Sequence, residues 1–299
     1  MESKQINLTD NEILHDFYLA YLSRQVAQLG RKEVLSGKAK FGIFGDGKEV
    51  AQIAMARNWR SGYYRDHTFV MAAGMLTAEQ FFYQLYGFTD ETLNPGTAGR
   101  NFNNHFASIS LNDDGSWKDL ASMKNSCADL SPTAGQMPRL IGLGYASKLF
   151  REHEALSRYT NFSNKGEEVA FGTIGDASTA EGMFFETINA AAVLQIPVAL
   201  AVWDDGYGIS VTKDLQIVKA NISEALGGFE KKGDSNGIEI YKAKGWDYSE
   251  LISVFEEGIS KSRKEHVPVL FHIDEMVQPS GHSTSGSHER YKSTERLAW

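Results

Sequence analysis

Cysteine is almost missing from this chain: Cys127 is the only one in 299 residues. A single thiol excludes an internal disulfide and a thiolate metal cluster, and it fits a reducing compartment. Cys127 itself reads as a small apolar residue rather than a nucleophile. Long hydrophobic runs are missing as well. No stretch reaches the ~18 consecutive apolar residues of a membrane-spanning helix, and Met1–Gln5 hold no apolar signal core. The expectation is a cytoplasmic protein with no membrane partner. Positive charge is in short supply, since 30 Lys and Arg against 38 Asp and Glu leave a formal net charge of -8. That balance argues against a nucleic-acid partner or an anionic membrane surface, while leaving room for a local phosphate site. No internal repeat, linker or composition break marks a second domain, so residues 1–299 read as one domain with a large core.

What is present is organised around Glu168 to Ser210. Val169–Ile174 is a short apolar run broken by Gly175, as a buried strand should be. Asp176 follows at its carboxyl end. The spacing of Met183, Phe184, Ile188, Ala191 and Ala192 predicts a helix over about 179–194. After Pro197 a second apolar run, Val198–Trp203, ends in Asp204-Asp205-Gly206. Strand, helix and strand make a βαβ unit with parallel strands and a right-handed crossover. Ligands of such sheets bind outside the carboxyl ends of the strands, where Asp176, Asp204 and Asp205 all fall. Three carboxylates at one edge repel one another unless a hard cation lies between them. Oxygen ligands suit Mg²⁺, which takes one or two carboxylates plus substrate phosphates. The pattern predicts a di- or triphosphate bridged by metal. The plain alternative is that strand-end Asp residues cap turns.

These residues carry a resemblance. Gly175-Asp176-Ala177-Ser178, with Glu181-Gly182, Asn189 and then Asp204-Asp205-Gly206-Tyr207-Gly208-Ile209-Ser210, resembles the thiamin-diphosphate motif. In that family Gly-Asp-Gly opens the motif and Asn-Asn closes it. The chain is most similar to the alpha subunits of 2-oxo acid dehydrogenases, the decarboxylating component of branched-chain and pyruvate type, where the second half reads Asn-Asn-Gly-Tyr-Ala-Ile-Ser. The resemblance implies that Asp176, Asp205 and the Tyr207 carbonyl hold Mg²⁺, and that Gly175, Ala177, Ser178 and Ile209 line the cofactor. The chain departs from it where Ala177 replaces Gly and where Asp204 and Asp205 replace the paired Asn. The added negative charge is expected to repel a diphosphate.

Other segments extend the likeness. Arg65 offers a fork of donors to phosphate, and the family has a Tyr-Arg pair on the diphosphate, which implies that role for Tyr64 and Arg65. Leu130–Pro138 is similar to the Ser-Pro-Leu-Ala-Thr-Gln-x-Pro segment of branched-chain enzymes, placing Ser131 and Thr133 at the aminopyrimidine. Gly135 stands where a Thr would build a potassium site. Gly281-His282-Ser283-Thr284-Ser285 matches the family's Gly-His-Ser-x-Ser loop, whose His reaches the thiazolium ring. His282 is therefore implied as catalytic, an imidazole able to shuttle protons near neutral pH. Gln278 stands close to where the family has an Arg on the diphosphate, so the pocket is expected to have lost positive charge. Gly42–Glu49 nearly matches a P-loop but has Glu49 where Ser or Thr should ligate magnesium. Gly47-Lys48-Glu49-Val50-Ala51 instead resembles the family's Gly-x-Glu-Ala helix opening. His67 and His105 receive no role.

Helical spacing also predicts helices over about 11–28, 78–86, 139–153 and 248–264, and strands over 237–241 and 267–273. In the first helix, Ile13, Phe17, Tyr18, Tyr21 and Leu22 read as core packing. The loop from Ser280 to Tyr291 is too polar to order itself by burial. Strands alternating with helices predict a three-layer α/β sandwich around a mostly parallel sheet. The resemblance implies the alpha part of a thiamin-diphosphate-dependent 2-oxo acid dehydrogenase, which passes an acyl group to a lipoyl-bearing acyltransferase core. It also implies a beta subunit or fused beta part, a homo-oligomer, and a further C-terminal helix of which Glu295–Trp299 is the start. Two alternatives stay open: another thiamin enzyme, acetoin-cleaving or transketolase-like, and a non-catalytic partner of the same fold.

Overall fold

The computed structural model describes residues 8–58, 66–282 and 288–299. The chain runs α1 (Asp10–Leu35), α2 (Glu49–Ala56), α3 (His67–Ala72), α4 (Ala78–Leu85) and α5 (Met137–Glu152). It continues with β1 (Ala170–Gly175), α6 (Gly182–Leu194), β2 (Val198–Trp203) and a small hairpin of β3 (Tyr207–Gly208) and β4 (Val211–Thr212). Then come α7 (Ile222–Ala225), β5 (Glu239–Lys244), α8 (Tyr248–Glu265), β6 (Val269–Asp274) and α9 (Thr294–Ala298).

Four strands form one sheet in the order β1-β2-β6-β5, all parallel. Register pairs Gly175 with Trp203 and Trp203 with Ile273, so the carboxyl ends of the three strands lie level. The two-residue period of the strands sorts the core into two faces. Val198, Leu200 and Val202 of β2 join Leu140 of α5 and Phe184 and Ile188 of α6 on one side. Ala199, Ala201 and Trp203 join α2, α3 and α8 on the other, where Phe255 packs on Phe271 with ring centroids 4.8 Å apart. The expected three-layer α/β sandwich with a parallel sheet is borne out.

The departures from expectation are local. A 3-10 turn over Asp176–Ala180 separates β1 from α6, because the Asp176 carbonyl accepts the Thr179 hydroxyl at 2.6 Å and Glu181 has extended backbone. Met183 is exposed, not part of the inner face of α6. Helix α1 starts at a capping box of Thr9 and Glu12 and runs past Gln28 to Leu35. Gly30 reads as a stop signal, yet it sits inside the helix at a close approach, where a Cβ would lie 2.6 Å from the Phe44 ring.

The reading of the α1 apolar residues as core holds for Leu22, which packs partly buried against the cluster of Val26, Ala27, Phe44 and Phe81, and is corrected for the rest. Ile13, Phe17, Tyr18 and Tyr21 are exposed, and the buried face is Asp16, Ser23, Val26, Ala27, Gly30 and Glu33. That inner face is partly polar because it meets charge. Asp16 accepts from Arg57 at 2.7 Å and from the Tyr248 hydroxyl at 2.5 Å, while Ser23 bonds Thr68 at 2.6 Å. Helical period fixes that an apolar stripe exists, not what it faces. Among the described residues no helix is long and apolar enough to cross a membrane.

Candidate functional site

A cavity of about 440 Å³ opens at the carboxyl ends of β1 and β2. Its walls include Ser131, Thr133, Gly175, Asp176, Ala177, Ser178, Asp205, Tyr207, Ile209 and His282. All of these were suggested for the site by the sequence, and they line one cavity; Asp204, suggested with them, does not. Tyr64 and Arg65 lie outside the described residues, as do residues 283–287 of the polar loop, on which its expected mobility falls. The wall also holds Ile43, Lys48, His105, Trp203 and Gln278.

The three strand-end carboxylates are not equivalent, and this corrects the picture of three charges around one cation. Asp204 is buried and turned away from the cavity. Its Oδ2 accepts from Lys213 at 2.8 Å and from His272 Nε2 at 2.9 Å, and its Oδ1 accepts from Gly206 N–H. His272 is held in turn by Ser223 at 2.7 Å. Burial alone would raise the Asp204 carboxyl, but the His272 and Lys213 hydrogen bonds outweigh it and hold the group below its ordinary range. Asp205 faces the cavity. Its Oδ2 accepts from Lys48 Nζ at 3.0 Å and its Oδ1 from the Tyr207 N–H at 3.2 Å. Asp176 is buried, and its Oδ2 has no hydrogen-bond partner among the described residues. Burial, then the nearby Asp205 and Asp204, push it well above the usual carboxylate range.

Positive charge is not missing from the site, a second correction. Lys48 is buried on the cavity wall. Arg296 of α9 donates to the Asp205 carbonyl at 3.2 Å and to the Met276 carbonyl at 2.7 Å, tying the ends of β2 and β6. Lys292 lies over the Tyr207 ring, 5.1 Å from its centroid, and burial lowers its ammonium pKa. Arg31 donates to the Gly281 carbonyl at 3.1 Å, beside His282. Sequence reading missed Lys48 because its partner stands far along the chain. The near P-loop that ends in Lys48 was the signal available, and Glu49 explains why it is not one. The Glu49 carboxylate accepts from Gly47 N–H at 2.9 Å and from Arg24 at 2.6 and 2.7 Å, fixing the turn.

The methyl groups of the motif are also rearranged. Ala177 stands where the resembling motif has Gly, and Gly208 stands where it has Ala. A Cβ built on Gly208 would lie 2.7 Å from the Ala177 Cβ, so the two positions cannot both carry a methyl without movement.

His105, given no role from the sequence, is buried against the cavity. Its Nδ1 lies 3.3 Å from the Asn103 carbonyl and its Nε2 3.1 Å from Ser131 Oγ. A carbonyl only accepts, so Nδ1 carries the proton and Nε2 accepts from the serine. Burial lowers its pKa and keeps the ring neutral. Thr133 donates to Glu181 Oε1 at 3.1 Å, bridging the segment before α5 to the start of α6.

The donor set suits a hard cation at Asp176 through its unpartnered carboxylate oxygen, with Asp205 and the Tyr207 backbone beside it. Among the described residues no three His, Cys, Asp or Glu side chains converge on one point. Such a cation would therefore complete its shell with backbone, water or ligand oxygens, as Mg²⁺ does with phosphates.

Comparison with known proteins agrees with this geometry. Residues 19–298 match the model of the dehydrogenase E1 component family. The 2-oxoisovalerate dehydrogenase subunit alpha of Bacillus subtilis (strain 168) is 27% identical over 300 residues, covering 98% of this chain and 78% of that protein. The pyruvate dehydrogenase E1 component subunit alpha of Acholeplasma laidlawii is 28% identical over 249 residues, 80% of this chain and 56% of that protein. The mitochondrial 2-oxoisovalerate dehydrogenase subunit alpha 1 of Arabidopsis thaliana is 28% identical over 172 residues, 56% of this chain and 31% of that protein. With nearly its whole length inside the family model, and a thiamin-type motif at the carboxyl edge of a parallel sheet, this chain belongs to the dehydrogenase E1 component family.

Proposed function

We propose that this chain is the alpha component of a 2-oxo acid dehydrogenase. It holds thiamin diphosphate and Mg²⁺ in the cavity at the ends of β1 and β2, and works with a beta component and a lipoyl-bearing acyltransferase core. One observation carries the reading: the departures at Ala177, Asp204 and Asp205 are each answered by another residue across the site. Ala177 is answered by Gly208, Asp205 by Lys48, and Asp204 by Lys213 and His272. A degenerate partner, free of selection on the pocket, has no reason to keep its volume and charge balanced.

In this reading Asp176, Asp205 and the Tyr207 carbonyl hold the cation, and Gly175, Ala177, Ser178 and Ile209 line the cofactor. Ser131 and Thr133 stand at its far wall, and Tyr64 and Arg65 take the diphosphate. Bound thiamin diphosphate supplies the electron sink that lets carbon dioxide leave a 2-oxo acid. His282, at the cavity rim, carries a proton to or from the reacting groups. Neutral His105 keeps Ser131 oriented by accepting its hydroxyl proton. The exposed α1 residues Leu14, Phe17, Tyr18 and Tyr21 offer an apolar surface for association with other chains.

Calorimetric titration with thiamin diphosphate and Mg²⁺, in the presence of the beta component, tests the reading, and absence of heat rejects it. Turnover is the second arm. The complex is expected to decarboxylate a 2-oxo acid and acylate a lipoyl group, and His282→Ala is expected to cut acyl transfer by about 100-fold or more. A wild-type complex that binds cofactor and turns over nothing leaves the non-catalytic partner as the better reading.

A further inference from the structure

We propose that Lys48 is a diphosphate-binding residue of this site: with no ligand present its ammonium neutralises Asp205, and when a cation takes that carboxylate the ammonium turns to the phosphates. The proposal rests on the function proposed above and concerns one residue that the motif does not assign.

The turn that carries Lys48 is built for that position. Gly47 has φ of +98°, and a Cβ there would lie 2.1 Å from the Val277 carbonyl oxygen, so the turn is pressed against the segment that leads to His282. Glu49 locks it from the other side through Arg24 and the Gly47 N–H. Lys48 is left buried on the cavity wall, its Nζ 3.0 Å from Asp205 Oδ2.

The two cavity carboxylates then stand in different states. Asp176 Oδ2 is buried and has no hydrogen-bond partner among the described residues, which leaves it a candidate ligand for a cation. Asp205 Oδ2 is already held by Lys48. A divalent cation that takes Asp205 Oδ2 competes with the ammonium for that oxygen, because the two positive charges repel where water is excluded. A cation bound through Asp176 and Asp205 Oδ2 therefore displaces the ammonium. Its flexible four-carbon stem keeps it in the same cavity, where the unpaired negative groups are phosphate oxygens. Replacing Asn by Asp at 205 adds one negative charge and Lys48 adds one positive charge, so the pair leaves the net charge facing a diphosphate unchanged.

The test uses the full chain with its beta component, as wild type, Lys48→Gln, Asp205→Asn and the double variant. Each is titrated with thiamin diphosphate plus Mg²⁺ and with inorganic diphosphate plus Mg²⁺, and each is melted without ligand. Lys48→Gln is expected to weaken both ligands by about tenfold or more, the size of one charge-assisted contact. It is also expected to lower the unliganded melting temperature, since a buried Asp205 is left unpaired. Adding Asp205→Asn to Lys48→Gln is expected to recover most of both losses. Wild-type binding that Lys48→Gln leaves unchanged overturns the proposal and leaves the proposed function standing. A wild type that binds neither ligand rejects the function, and the role of Lys48 falls with it. Losses in the single variant that the double variant does not recover also overturn the charge-exchange role.

Discussion

His272 Nε2 lies 2.9 Å from Asp204 Oδ2, both side chains are almost fully buried, and Ser223 closes the other side of the imidazole at 2.7 Å. Asp204 opens the turn whose next residue faces the cavity, so this pair sets where Asp205 stands. His272→Leu is expected to destabilise the chain by about 2 kcal/mol, the loss of a hydrogen bond to a charged acceptor. His272→Gln, which keeps a donor, is expected to lose less. Urea unfolding of the two variants checks this. Equal stability of His272→Leu and wild type would mean that Lys213 alone holds Asp204.

Gly208 and Ala177 form a volume pair. Gly208→Ala places a methyl 2.7 Å from the Ala177 Cβ. It is expected to cost about 1–3 kcal/mol as an overpacked site and to weaken cofactor binding. Ala177→Gly in the same chain is expected to restore both. The side chain of Gln216, also near the built Cβ, can swing aside, so persistence of the defect in the double variant would mean that the pairing is wrong.

Ionising Asp176 is costly in this fold. Its unpartnered oxygen and raised pKa follow from burial beside Asp205 and Asp204. Asp176→Asn removes that cost, and the unliganded chain is expected to melt higher at neutral pH while thiamin diphosphate binding with Mg²⁺ is lost. This is the trade between stability and a strained functional group. A melting temperature that falls would show that the Asp176 carboxylate supports the fold.

Three histidines set the acid side of the stability profile. Burial lowers the pKa of His67, His105 and His266 in the folded chain. Their folded values lie below the unfolded value of about 6.5. The unfolded chain therefore binds protons first, and stability present above that pH is lost as pH falls through and below it. The histidines are expected to lower the melting temperature from pH 7 to pH 5, against an opposite contribution from Asp129 and Asp176, whose carboxyl pKa burial raises well above the ordinary range. His105→Gln, which keeps an acceptor for Ser131, is expected to flatten part of that drop. An unchanged slope would assign the effect to the other two.

The sheet and the location of the cavity were legible in the sequence. The apolar runs of β1 and β2 and the helix between them show in their periods, because a buried strand must be apolar on both faces and a βαβ unit can close in one hand. Once β1 and β2 are parallel neighbours, Asp176 and Asp205 must meet at their carboxyl edge, whatever the rest of the chain does. The family resemblance, not local pattern, implied Ser131, Thr133 and His282 at that edge, and all three lie on the cavity wall. What only the tertiary structure decided is how each group there is partnered. Lys48 and Asp205 are 157 positions apart, and no spacing rule links them. The same holds for Asp204 with His272, and for Ala177 with Gly208. The face of α1 is the plainest case: its stripe of Ile13, Phe17, Tyr18 and Tyr21 is visible as a period, yet it points outward. A period is a property of one element, whereas burial, charge pairing and free volume belong to pairs of elements and exist only once those elements are packed.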